Sequence, residues 1–199
     1  MRVHKYPRFT KYVLEPGEYH VTDEPVVMST LLGSCVSVCL YEPIARVMAM
    51  NHFLLSVQKY VKPEAIISSG SGRYGIHAME LIINGMLKLG AKRNRLQAKA
   101  FGGGNVLSAP ASSDNMFNIG HVNVEFVREF LEKEKIPMVS SDLGGNHGRI
   151  IVFYGNDYSV FVRKIAQSES LKVARRDKQY WKSMVEKKRQ GQTNIEVWN

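Results

Sequence analysis

The chain has 199 residues with 27 Lys and Arg, 18 Asp and Glu and 2 Cys, which gives a formal net charge of +9. A chain of this length buries roughly 70 % of its unfolded surface, so it does not need the disulfides of a small secreted scaffold. No apolar run approaches the roughly 18 residues of a membrane helix, and the basic N-terminus lacks the apolar stretch of a secretory signal. We therefore expect a protein of the cytoplasm.

Strand patterns dominate the chain, and two helical patterns lie among them. Runs typical of strands lie at residues 26–32, 36–41, 46–53, 96–101, near 138–139, 149–154 and 158–164. Amphipathic helices are predicted at residues 75–89 and 121–135. Because strands and helices do not alternate regularly, the pattern favours an α+β domain with mixed β-sheets over a doubly wound fold.

The charge is concentrated at the C-terminal end. Residues 170–199 hold eight Lys and Arg against three Asp and Glu, so this segment carries 8 − 3 = +5 of the total. We divide the chain into an N-terminal extension (1–19), a core domain (20–166) and a basic C-terminal tail (167–199). The tail alone would support nucleic-acid binding, and no recognition-helix, zinc-finger or RNA-binding signature accompanies it. We favour the simpler interpretation that the tail is a solvated helix face or a frayed end.

The sequence contains neither a complete dinucleotide-binding motif nor a metal-ligand pattern. The run GSGRYG at residues 70–75 satisfies a dinucleotide pattern, but the strand before it is poor and the region about 20 residues later is basic. The six histidines show no metal-ligand spacing. We therefore predict no cofactor and no metal.

Cys35 stands out because it follows a Gly-Ser turn, whereas Cys39 lies in an apolar strand pattern and is expected to be a small core residue. If Tyr41 pairs with Arg46 across the loop between the two strands, Cys35 lies directly opposite His52, at a Cβ separation of about 4.5–5.5 Å. The same alternation puts both cysteines on one face, roughly 13 Å apart and too far for a disulfide. The residues alone allow two interpretations, a nucleophile and its base or two unrelated strand residues.

Two longer motifs contain this pair, TLLGSCVSVCLYEP at residues 30–43 and MNHFLL at residues 50–55. Further landmarks are RY (73–74), LGA (89–91), AKAFGGG (98–104), NIG (118–120) and DLGGN (142–146). In this order, over residues 20–166, the sequence resembles the CheD family of chemoreceptor glutamine deamidases. The resemblance implies a single α+β domain with mixed sheets packed as a sandwich and helices on the outside, a CheD-like cysteine hydrolase fold.

The resemblance also implies an activity and its residues. The family hydrolyses particular glutamine side chains of methyl-accepting chemotaxis receptors to glutamate and ammonia, with its nucleophile at Cys35 and its base at His52. A family threonine six residues before the cysteine falls on Ser29, and the adjacent Thr30 could take its place. Backbone N–H groups at Ser34 and its neighbours, including Gly33, are candidates for binding the oxyanion.

The implied partners are the receptors, through which the protein would meet a membrane only indirectly, and a CheC-type phosphatase in some organisms. No nucleic acid is expected. A non-catalytic adaptor that keeps the fold is the main alternative from another class, although an adaptor need not keep both Cys35 and His52.

Overall fold

The computed structural model describes residues 1–55, 67, 69–106 and 119–193. Asn118 of the NIG landmark and residues 194–199 of the predicted tail lie outside the described residues. Within the described ranges the strands are β1 (Arg2–Tyr6), β2 (Phe9–Leu14), β3 (Tyr19–Thr22), β4 (Val27–Leu32), β5 (Val36–Glu42), β6 (Val47–Asn51), β7 (Gln97–Gly102), β8 (Met138–Leu143), β9 (Arg149–Tyr154) and β10 (Val160–Lys164). The helices are α1 (Gly70–Lys88), α2 (Ile119–Lys133) and α3 (Gln167–Thr193), with a 3-10 turn at Arg93–Arg95.

The strands form two mixed sheets. The first has the order β1-β2-β4-β9-β10, and the second has the order β3-β6-β5-β7-β8. Each sheet contains one parallel pair, β2 with β4 and β7 with β8. The described residues form two sheets and three helices of a single α+β domain, which confirms the predicted fold class.

Side-chain alternation divides the interior into two layers. Leu14, Met28, Ile151 and Phe153 from the first sheet meet Cys39 and other side chains of the second sheet in a cluster that we call the inter-sheet core. The opposite face of the second sheet packs against α1 and α2. All seven residues of β5 are buried because both of its faces are covered, and apolar side chains accordingly lie on both faces, Val38 and Leu40 on one and Cys39 on the other.

The predicted register of the β5–β6 hairpin is wrong by two residues. Tyr41 lies opposite Met48, and Glu42 rather than Tyr41 is the last paired residue before the loop. The Glu42 carboxylate accepts hydrogen bonds from two backbone N–H groups of the loop, and Arg46 closes the turn with a φ of 57°. Because the shift is two residues, each side chain keeps its predicted face.

The predicted elements from residue 26 onward are present, and α1 begins five residues before its predicted start. Its first six residues are the GSGRYG run, and the Ser69 side chain caps the helix by accepting a hydrogen bond from the Gly72 N–H. None of the described helices combines the length and the apolar character needed to cross a membrane.

The sequence did not predict β1, β2, β3 or α3. Residues 2–14, in the segment predicted as an extension, form two strands of the first sheet. The tail region forms α3, with Val173, Ala174 and Asp177 buried. The domain boundaries at residues 20 and 166 stay predictions.

Candidate active site

Cys35 lies in the short turn that joins β4 to β5, with no exposed surface. The glycine-rich segment after β7 holds this turn, since the Gly103 N–H donates to the Cys35 carbonyl at 2.7 Å and the Gly104 N–H donates to the Gly33 carbonyl at 2.8 Å. Gly102 has a φ of 106°, and a Cβ on it would lie 2.2 Å from the Cys35 carbonyl oxygen. The GGG landmark therefore permits a backbone approach that any side chain would block.

Asn123 of α2 fixes the same turn from the other side. Its Nδ2 donates to the Ser34 carbonyl at 2.8 Å, and its Oδ1 accepts from the Leu55 N–H at 2.9 Å. The side chain is fully buried. Sequence analysis missed this residue, because an asparagine beside an apolar helical stripe does not reveal which backbone groups it meets.

The DLGGN landmark forms a neighbouring loop around Arg149, which is fully buried. The Arg149 guanidinium pairs with the Asp142 carboxylate at 3.0 Å and donates to the carbonyls of Asp142 and Gly144. The Asn105 N–H donates to the Gly145 carbonyl at 2.7 Å. This loop therefore supports the glycine-rich segment, which in turn holds the Cys35 turn.

His52 directly follows β6 and is held by a hydroxyl. Its Nδ1 lies 2.7 Å from the Thr30 Oγ1, and the Thr30 hydroxyl donates to the Leu14 carbonyl at 2.7 Å. A hydroxyl has one proton to donate, so Oγ1 must accept from the Nδ1–H of the imidazole. This tautomer leaves a lone pair on Nε2, which has no hydrogen-bond partner among the described residues.

The hydroxyl at the imidazole thus belongs to Thr30 rather than Ser29. The two residues are neighbours on β4, and successive side chains of a strand point to opposite faces. Thr30 shares its face with Met28 and Leu32, which lie in the inter-sheet core. Ser29 is buried on the other face of the first sheet.

Cys35 and His52 are diagonal neighbours, and the prediction that they lie directly opposite each other is wrong. Val36 pairs with Phe53 through two backbone hydrogen bonds of 3.0 Å, which puts Cys35 opposite Leu54. His52 is two residues from Leu54 and therefore lies on the same face as the thiol. Diagonal neighbours in antiparallel sheets have Cα atoms about 7–8 Å apart, within reach of long side chains.

Burial keeps both groups neutral. It raises the pKa of the Cys35 thiol well above its ordinary value, and the Asp177 carboxylate raises it further while Arg176 opposes the shift. Burial also lowers the pKa of His52 to about 3, and Arg176 lowers it further. The resting pair is therefore a thiol and a neutral imidazole.

The predicted oxyanion donor faces an anionic oxygen. The Ser34 N–H and the Ser34 hydroxyl both donate to Asp177 Oδ2, each at 3.0 Å. A Cβ on Gly33, the other predicted residue, would lie 2.7 Å from the same oxygen. Asp177 and Arg176 come from α3 and were not predicted, because an acid within a basic segment gives no sign of a contact 143 residues away.

Cys39 occupies the position expected of a core residue. It is fully buried in the inter-sheet core opposite Met50, and burial raises the pKa of its thiol. Both cysteines are free. Among the described residues there is no cluster of three or more potential metal ligands.

A family model described as CheD chemotactic sensory transduction matches residues 62–164, just over half of the chain. The chain belongs to the CheD family. The CheD model match begins after Cys35 and His52, so it establishes the family without bearing on the roles of these two residues.

Relatives in the CheD family cover more of the chain. A protein of Geobacter sulfurreducens named probable chemoreceptor glutamine deamidase CheD 1 is 48 % identical over 93 % of this chain and 92 % of its own length. A Shewanella oneidensis protein named probable chemoreceptor glutamine deamidase CheD 2 is 52 % identical over 76 % of this chain and 75 % of its own length. A Laribacter hongkongensis protein named probable chemoreceptor glutamine deamidase CheD is 42 % identical over 83 % of this chain and 77 % of its own length.

Among solved structures, the Bacillus licheniformis hypothetical protein YfiH aligns with a TM-score of 0.33 and 14 % identity, over 62 % of this chain and 49 % of that chain. A likeness of this size carries no argument about the fold.

Proposed function

We propose that this CheD-family chain is an amidohydrolase that converts glutamine side chains of chemotaxis receptors to glutamate, with Cys35 as the nucleophile and His52 as the base. The observation that carries the proposal is the imidazole whose Nδ1 is held by Thr30, with its free Nε2 on the same face as a buried thiol. The names of the relatives support the substrate class.

Every proton transfer of the reaction passes through one nitrogen, Nε2 of His52. Nε2 of His52 takes the thiol proton as Cys35 Sγ bonds to the amide carbon, and the carbonyl oxygen becomes an oxyanion. The imidazolium then gives that proton to the leaving nitrogen, so ammonia departs and a thioester remains. His52 next deprotonates a water that attacks the thioester, which releases the glutamate side chain and restores the thiol.

Ser34 would stabilise the charged intermediate. Its N–H is aimed at the position that a carboxylate oxygen takes in this structure, and a developing oxyanion has the same charge and the same hydrogen-bonding needs. Loss of one such donor typically costs about 2.7–4 kcal/mol of transition-state stabilisation. Thr30 orients the imidazole and does not touch the substrate in this mechanism.

The test is incubation with receptor fragments, followed by mass spectrometry of the amide-to-carboxylate change at individual glutamines. We expect Cys35→Ala and His52→Ala each to abolish conversion, and the double variant to be no worse than either, because the two residues act as one unit. Cys39→Ala is the matched control and should convert receptors at nearly the normal rate. Normal turnover by Cys35→Ala would refute the mechanism, and receptor binding without conversion would indicate an adaptor.

A CheC-type phosphatase remains a proposed regulatory partner, and the cytoplasm remains the proposed location. Copurification of such a phosphatase with the full chain, and a changed conversion rate in its presence, would support the partner.

A further inference from the structure

The proposed site is closed in this structure. Cys35 and His52 each have 0 % of their surface exposed. A glutamine on another protein cannot reach a thiol that has no exposed surface, so part of this chain must move before the proposed reaction can occur. The helix α3 contacts the turn that carries the thiol.

Asp177 places α3 directly on the Cys35 turn. Its Oδ2 accepts hydrogen bonds from the N–H and the hydroxyl of Ser34, and the carboxylate has no exposed surface. A Cβ at position 33 would lie 2.7 Å from that oxygen and 2.9 Å from Cγ1 of Val173, so only glycine allows the helix to come this close. A carboxylate side chain is also the product of the proposed reaction, and Asp177 therefore lies on Ser34 as a bound product would.

Arg176 ties the helix to the first sheet beside this contact. Its Nη2 donates to the Leu31 carbonyl at 2.7 Å, and its guanidinium lies 3.2 Å from the Asp177 Oδ1 and 3.6 Å from Glu15. These contacts orient the carboxylate towards the turn.

Tyr180 extends the cover towards His52. Its hydroxyl lies 3.2 Å from the Tyr74 hydroxyl of α1, and a Cβ on Gly17 would lie 2.2 Å from it. Tyr74 and His52 both line a cavity of about 210 Å³. Tyr180 and the adjacent Trp181 pack against the inter-sheet core.

The described part of α3 is attached by polar contacts, by a few fully buried apolar side chains and by the partly buried rings of Tyr180 and Trp181. Its buried apolar side chains are small or medium, namely Val173, Ala174 and Val185, and they lie beside buried Ser170 and Asp177. By contrast, α2 buries Phe126 and Phe130 in the layer under the second sheet. An element whose fully buried apolar side chains are few and no larger than valine can detach while the core stays folded.

We propose that α3 occupies the receptor-binding surface of this chain and holds the site closed, with Asp177 on the oxyanion donor, until a receptor segment displaces it. The inference rests on the proposed function for the identity of the displacing segment. The surface consists of the turn at Gly33 and Ser34, the Leu31 carbonyl and Tyr74. The charges that face Cys35 in the closed state include Asp177, which disfavours a thiolate, and Arg176, which favours it.

The test measures the accessibility of Cys35 in the full chain, with the iodoacetamide alkylation rate read by mass spectrometry of the Cys35 peptide. We expect Asp177→Ala and Tyr180→Ala each to raise this rate at least tenfold. Tyr180→Ala changes no charge at neutral pH, so its effect does not come from losing the Asp177 carboxylate beside the thiol. The matched control is Glu186→Gln, which removes an acid from an exposed position of the same helix and should leave the rate unchanged.

Receptor binding is tested separately by hydrogen exchange. Adding a receptor fragment to Cys35→Ala protein should speed amide exchange across residues 170–185, with the core strands unaffected. If alkylation is unchanged in both α3 variants and their circular dichroism is normal, the proposal that α3 closes the site is wrong. Receptor binding that leaves α3 exchange unchanged would also overturn it. If Cys35 is alkylated faster in the α3 variants but no protein, wild type included, converts glutamine, then α3 does close the site and the proposed activity is wrong.

Discussion

The proposed chemistry of the candidate site depends on one hydroxyl that the sequence left ambiguous. Thr30 accepts from Nδ1 of His52 because its own proton is committed to the Leu14 carbonyl. This arrangement directs the free lone pair of the imidazole to Nε2. The carbonyl that fixes the tautomer comes from β2, in the segment that the sequence predicted as an extension.

Thr30→Val tests this arrangement, because valine keeps the shape of the side chain and removes the hydroxyl. We expect deamidation to fall at least about tenfold, part of the 10²- to 10⁴-fold that a general base usually contributes. Thr30→Ser should restore most of the rate, which a purely structural role would not predict. Ser29→Ala, on the opposite face of β4, is the control, and a larger loss from it than from Thr30→Val would contradict the assignment.

The buried imidazole also makes the fold sensitive to acid. The pKa of His52 is lowered to about 3 from its ordinary value of 6.5. Between these values the unfolded chain binds more protons at His52 than the folded chain does. The contribution of neutral His52 to the free energy of unfolding is therefore fully present above pH 6.5 and is lost as the pH falls towards 3. In this range the free energy of unfolding falls by up to about 1.4 kcal/mol for each pH unit of acidification.

Urea unfolding at pH 7, 6 and 5 measures that slope in a range where most carboxylates remain ionised. The wild-type free energy of unfolding should decrease over the range, and His52→Gln should show a smaller decrease. His20 and His147 also have lowered pKa values, so the difference between the two proteins, rather than the wild-type slope, isolates His52. Parallel slopes would show that His52 does not carry the effect.

At the scale of elements, the Cys35 turn is positioned by its neighbours. Glycines after β7 hold its carbonyls from one side, and Asn123 of α2 holds it from the other. The turn has few side-chain atoms of its own with which to fix its backbone. The direction of the thiol therefore depends on residues far away in the sequence.

Asn123→Ala should expose that dependence. It leaves the Ser34 carbonyl and the Leu55 N–H buried without their partner, at a cost of roughly 1–3 kcal/mol for each group. Chemical denaturation should show this loss of stability. The control is Asn84→Ala on α1, where an exposed side chain donates to Glu80 and little change is expected. A loss no larger than that of the control would mean that the turn keeps its shape without Asn123.

For the whole molecule, the sequence predicted the parts whose apolar pattern is set by burial on one or two faces. Met79, Ile82 and Met86 of α1 recur at helical spacing because they face the second sheet. All five residues of β1 are exposed, so its side chains show no alternation to detect. The hairpin register depended on the capping of its loop by the Glu42 carboxylate, which apolar alternation does not encode.

For the candidate site, too, the sequence indicated some residues and not others. The resemblance implied Cys35 and His52 as the catalytic pair, which stays a prediction, and alternation placed the two side chains on one face, where the structure also has them. The choice between Ser29 and Thr30 required the position of the Leu14 carbonyl, which becomes known only when β2 is placed beside β4. Asp177 could not have been found from sequence, because its contact with Ser34 depends on how α3 packs.

The place of β2 in the first sheet also matters for the behaviour of shortened chains. It separates β4 from β1, and β4 is an almost fully buried strand with the sequence VMSTLL. A chain that began at residue 20 would turn β4 into an edge strand with a row of unpaired N–H and C=O groups. Long apolar edges of this kind pair with edges of other molecules. By covering β4, the N-terminal strands therefore protect the protein against aggregation.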